Sequence, residues 1–124
     1  MGLGFGLLSA QLRPGETDWT RAYDETVRLA VEAERLGFSS VWTTEHHFVE
    51  DGYLPSFAPV AGAIAARTTR VRISSDIVLM PFQHPLRLAE DLAVLDNLSG
   101  GRIELGIGMG YAPHEFAAFG IERR

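Results

Sequence analysis

The segment Thr43-Thr44-Glu45-His46-His47-Phe48 gathers two adjacent imidazoles, a carboxylate and an aromatic ring. It closes a short β-branched and aromatic run, Ser39-Ser40-Val41-Trp42-Thr43-Thr44, and a loop containing Gly52 and Pro55 follows. Imidazole changes charge near neutral pH, and no other stretch concentrates so many groups able to move protons. Neighbours in extended chain point to opposite faces, so at most one of His46 and His47 can face a site. The other is expected to hydrogen-bond the scaffold. Glu45 has two readings, as a group that orients an imidazole or as an ion-pair partner within the scaffold. Phe48 is expected in the core or a pocket wall.

Imidazole and carboxylate also suit zinc or iron, which makes Glu45, His46, His47, His84 and His114 candidate ligands. Adjacent histidines make poor co-ligands, and neither His-x-His nor His-x-x-x-His spacing occurs. No metal is expected. Gly106-Ile107-Gly108-Met109-Gly110 imitates a phosphate loop, but its third glycine falls at the wrong spacing for the dinucleotide fingerprint. Glycines inside a strand point instead to close backbone approach.

The chain has 124 residues, 46% hydrophobic and 22% charged, which bounds it to one ordinary globular domain by size. With no cysteine it has no disulfide framework and no thiolate chemistry. Every strong base is arginine, which excludes Schiff-base chemistry, and the net charge of −5 argues against a nucleic-acid partner. No apolar run approaches the ~18 residues that span a bilayer. The N-terminal Gly2-Leu3-Gly4-Phe5 stretch lacks the basic flank of a leader, so the cytoplasm is the expected location.

Several elements must position these groups. Leu3 to Leu8 reads as a buried strand punctuated by glycines. A helix is predicted from about Trp19 to Leu36, capped by Thr17 or Asp18 and ended by Gly37. Ala22, Thr26, Leu29, Ala33 and Leu36 form its predicted apolar stripe. Phe38 to Thr44 reads as the second strand, and Phe57 to Thr68 as a largely buried helix after a Ser56 cap. Arg70 or Val71 to Leu79 is the third strand, and Pro85 opens a helix to about Leu98 with Leu88, Leu92 and Leu95 on one side. Arg102 to Met109 is the fourth strand, and Pro113 to Phe119 begins another short helix. Strand-helix alternation of this kind is the mark of βαβ units and a parallel sheet. Right-handed crossovers would then bring the strand C-termini to one rim, in an open sheet or a barrel.

Three of these stretches together resemble the bacterial luciferase-like monooxygenase family. They are Glu45-His46-His47-Phe48, Met80-Pro81-Phe82-Gln83-His84-Pro85 with the following Leu86 to Asp91, and Leu95 to Gly108 around Ser99-Gly100-Gly101-Arg102. The likeness covers nearly the whole chain in order. It implies a (β/α)8 TIM barrel that binds reduced FMN, or a deazaflavin coenzyme in some branches, at the C-terminal ends of its strands. It implies an oxidoreductase that, as a monooxygenase, uses O2 on a small organic substrate. His46 matches the histidine that handles a proton beside the flavin. Glu45, Ser75, Asp76 and Met80 are the implied cofactor-binding residues, and Ser74 to Ile77 matches a bulged segment with a non-prolyl cis peptide. Asp76 stands where a small residue is common and Met109 where luciferase proper has an arginine, which points to a relative of luciferase.

A complete barrel of this type needs ~250 residues. Residues 1–124 are therefore expected to be a single partial domain, the N-terminal half of the barrel. Its partners are expected to be substrate and reduced flavin, with a second copy or a missing C-terminal half against the open edges. The alternative is a truncated, non-catalytic module that pairs with another chain.

Overall fold

A computed structural model describes residues 2–123. Strand β1 (Gly4–Leu8) leads to helix α1 (Trp19–Arg35), β2 (Ser40–Thr43) and α2 (Phe57–Arg67). There follow β3 (Arg72–Ser75), β4 (Val78–Leu79), a 3-10 turn (Met80–Phe82) and α3 (Pro85–Ser99), then β5 (Ile103–Glu104), β6 (Ile107–Gly108) and α4 (Pro113–Phe119). The main sheet is parallel with order β1-β2-β3-β5, and β4-β6 form a second parallel pair. Sequential parallel neighbours joined by helical crossovers are the predicted α/β architecture.

The third and fourth strands are not continuous, contrary to the sequence reading. Each breaks in two, at Asp76-Ile77 and at Leu105-Gly106. The peptide between Asp76 and Ile77 is cis, within the segment marked by the family likeness. Side-chain chemistry holds the break. Ser75 Oγ donates to the Gly106 carbonyl at 2.9 Å and accepts from the Gly106 N–H at 3.0 Å. The Val78 N–H donates to the same carbonyl at 2.9 Å, restarting the ladder beyond the bulge. A Cβ on Gly106 would lie 2.4 Å from the Ser75 carbonyl oxygen, so only glycine allows this approach.

The core lies between the sheet and the helices. Val41 and Ile73 from the strands meet Ala30 and Ala33 of α1, Val60, Ala61 and Ile64 of α2, and Leu95 of α3. The Ala-rich α2 packs against both α1 and α3, which accounts for its charge-free stretch. Helix α3 buries Leu95 and packs Leu88 and Leu92 against the core, as predicted. In α1 the stripe is rotated. Tyr23, Thr26, Val27, Ala30 and Ala33 face inward, while Leu29 and Leu36 are 42% and 61% exposed. Both stripes fit a 3.6-residue period, and the alanine-rich one lets the helix come closer to the sheet. Asp18 caps α1 by accepting from the Arg21 N–H at 2.9 Å, and Gly37 takes a positive φ just beyond its end.

Polar clamps close the rim where helices return to strands. Glu34 accepts from the backbone N–H groups of Thr69, Arg70 and Val71 at 3.0, 2.6 and 2.7 Å. Arg102 donates to the carbonyls of Ala65, Thr68, Val71 and Ser99 and to the Thr68 hydroxyl, at 2.6–3.1 Å. It thereby ties the ends of α2 and α3 to the start of β3.

Candidate functional site

The opposite rim holds the histidines. Beyond β2, the Thr44 N–H still donates to the Leu8 carbonyl, and the His46 N–H donates to the carbonyl of Tyr53 as the loop turns back. Between these bonds the chain delivers alternate side chains to different surroundings. His47 is buried, and its Nε2 lies 3.1 Å from Glu45 Oε1. The same oxygen accepts the Leu79 N–H at 3.2 Å, tying the end of β4 to the end of β2. Glu45 thus orients an imidazole and also serves the scaffold. The rings of Phe82 and Phe119 stack at 4.5 Å and meet His47 edge-on. Phe48, expected inside, is 63% exposed and rests against Phe119.

His46 faces the other way. Its side chain keeps 24% exposure, and Nδ1 lies 3.0 Å from Glu115 Oε1. Tyr53 and Tyr111 approach its ring edge-on, with centroids at 4.8 and 5.8 Å. Nε2 makes no hydrogen bond among the described residues. These three rings border two cavities of about 340 and about 780 Å³. The smaller is lined by the tips of successive strands, including Leu7, Thr44, Asp76, Leu79 and Gly110. The larger opens toward Leu12, Arg13, Val49 and His114.

Of the residues singled out from sequence, His46, Glu45 and Asp76 converge on the smaller cavity. Ser75 does not line it. Its hydroxyl is spent on Gly106, holding the bulge that carries Asp76. Met80 begins the turn after Leu79 and lines neither cavity. Met109 is 70% exposed. Among the described residues no three His, Asp or Glu side chains converge as a metal site. Sequence reasoning missed Glu115, the most deeply buried carboxylate of the rim. It accepts the His47 N–H at 2.9 Å as well as contacting His46. One signal was available: Glu115 sits in the first turn of the helix after β6, on the rim already expected to carry function.

Parallel βα units with a partly polar hollow at the strand C-termini define a segment of an α/β-barrel protein. The chain belongs to the luciferase-like monooxygenase family, whose model matches residues 3–124. It is 38% identical over 117 residues to the alkanal monooxygenase alpha chain of Photobacterium phosphoreum, covering 94% of this chain and 33% of that one. Monooxygenase RslO1 from Streptomyces bottropensis superimposes with a TM-score of 0.89 at 43% identity, over 97% of this chain and 37% of that one. The oxygenating constituent of 3,6-diketocamphane monooxygenase from Pseudomonas putida, solved with FMN, gives 0.88 at 27% identity over 98% and 33%. The coenzyme F420-dependent tetrahydromethanopterin reductase of Methanopyrus kandleri gives 0.71 at 26% identity over 98% and 30%. The chain spans about a third of the length of these relatives, so the fold is a partial barrel.

Proposed function

We propose that this chain is the N-terminal portion of a flavin-dependent oxidoreductase, a monooxygenase that uses reduced FMN and O2 on a small organic substrate. The observation that carries the reading is that His46, with Nε2 unbonded among the described residues, lines two cavities, one of them built from the strand tips. A hollow of this size with apolar walls and a few polar groups suits a flat heteroaromatic ring. Thr44 Oγ1, buried in that wall without a partner among the described residues, supports the fit, since buried hydroxyls ordinarily find one. Glu45 and Asp76 would contact the cofactor, and Ser75 would hold the bulge beneath it. Bound flavin supplies the two-electron chemistry. His46 holds or moves a proton at Nε2, and Tyr53 and Tyr111 restrict its ring and exclude water.

FMN-dependent and F420-dependent proteins both share this fold, and the deazaflavin is the alternative cofactor. No helix among the described residues is long and apolar enough to cross a membrane. A cytoplasmic enzyme without nucleic-acid partners fits the composition. Leu86, Val94 and Leu98 on the outer side of α3, and Leu7 and Ile107 on the strands, are exposed and favour cover by further polypeptide. That cover is the rest of the barrel or a second copy; in the alternative reading it is another chain, and this one is a non-catalytic module. Titrating the intact protein with reduced FMN and with reduced F420, followed by fluorescence quenching and O2 uptake, tests the proposal. Tight FMN binding with substrate-dependent oxygenation is expected. Binding of neither cofactor would leave the non-catalytic module standing.

A further inference from the structure

We infer that Glu115 is a positioning residue that locks His46 with its proton on Nδ1, so that the Nε2 lone pair faces the cavities. The inference rests on the proton-transfer reading of His46 for its consequence, though not for its geometry. A backbone N–H can only donate. The 2.9 Å contact from the His47 N–H therefore marks Glu115 Oε1 as an acceptor, whether or not the other carboxyl oxygen carries a proton. The same oxygen lies 3.0 Å from His46 Nδ1; with no proton on Oε1 itself, Nδ1 is the donor. In a neutral imidazole the proton on one nitrogen leaves the other as acceptor, and that nitrogen is Nε2.

The adjacent imidazole obeys the same logic with the opposite result. The Leu79 N–H marks Glu45 Oε1 as an acceptor, and with no proton on that oxygen His47 carries its own on Nε2. Two neighbouring histidines are thus set in different tautomers by two carboxyl groups from different parts of the chain. His47 spends its proton inside the scaffold. His46 presents a lone pair to the cavity, where it can take a proton from an acidic O–H or N–H group of bound reactants while keeping the one on Nδ1. The resulting imidazolium keeps its Nδ1 bond to Glu115.

Nitrogen-15 histidine spectra of the intact protein test this, with the His46 signals assigned by their loss in His46→Asn. Glu115→Gln preserves shape and an acceptor oxygen, because the His47 N–H dictates which end of the amide faces it. Glu115→Met preserves bulk and removes the acceptor. Wild type and Glu115→Gln are expected to show the Nδ1–H form. Glu115→Met is expected to lose that preference, with turnover falling roughly ten- to hundredfold while reduced-flavin quenching is retained. An Nε2–H form in the wild type, or an unchanged His46 spectrum in Glu115→Met, would overturn the assignment. Should the tautomer result hold while His46→Ala turns over normally, the proton-transfer reading fails and the tautomer assignment stands.

Discussion

The two rims of the sheet are built from the same kinds of side chain and differ in how completely those side chains are bonded. Where helices return to strands, Glu34 takes three backbone N–H groups and Arg102 reaches four carbonyls and a hydroxyl. At the strand C-termini, Glu115 Oε2 and Thr44 Oγ1 are buried without partners among the described residues, His46 Nε2 is likewise unbonded among them, and His46 lines both cavities. A closed polar network stabilises, whereas one with open valences is a place to bind and react. The first rim holds the fold together. The second keeps bonding capacity in reserve.

Mutations should separate the rims cleanly. The largest effect belongs to His46→Ala, expected to lower turnover in the intact protein about 10²–10⁴-fold with little change in denaturation midpoint. A variant that loses stability and keeps its turnover would erase the distinction. Arg102→Met leaves several buried carbonyls unmet and is expected to cost about 3 kcal/mol in chemical denaturation, with normal turnover of the folded fraction. Gly106→Ala sets a methyl group against the Ser75 carbonyl, and about 1–3 kcal/mol is expected from the forced shift. Because the bulge carries Asp76 toward the cavity, this variant should also weaken flavin quenching, a mixed effect that Arg102→Met should lack.

Glu34 gives the smallest effect and the clearest pH signature. Burial pushes its carboxyl up, but the N–H groups of Val71, Arg70 and Thr69 together outweigh it and hold it below the ordinary carboxylate range. A group depressed in the folded state stabilises fully above its unfolded value, and the contribution fades as pH falls through the folded one. Glu34→Gln should therefore cost roughly 1 kcal/mol near neutrality, allowing for solvent screening. The gap from wild type should close in acid, below the usual carboxylate range. A gap that stays constant with pH would mean that the charge on Glu34 is irrelevant to the clamp.

Local pattern carried much of this protein. Period-2 and period-3.6 runs, the Pro85 start, the Gly37 stop and the alternation of strands with helices were enough for the parallel α/β order. They were also enough to place Glu45, His46 and His47 on the functional rim. Whether Leu29 or Ala30 faced the sheet could not be read locally, because two stripes in α1 satisfy the same period. The break in the third strand was marked only by the family likeness and that in the fourth was hidden, since both depend on Ser75 meeting Gly106, 31 residues away. Which imidazole would face the cavity was decided by Glu45 and by Glu115, the latter 69 residues beyond His46. Periodicity reports the face of an element, but a hydrogen bond between distant segments exists only once the chain has closed on itself.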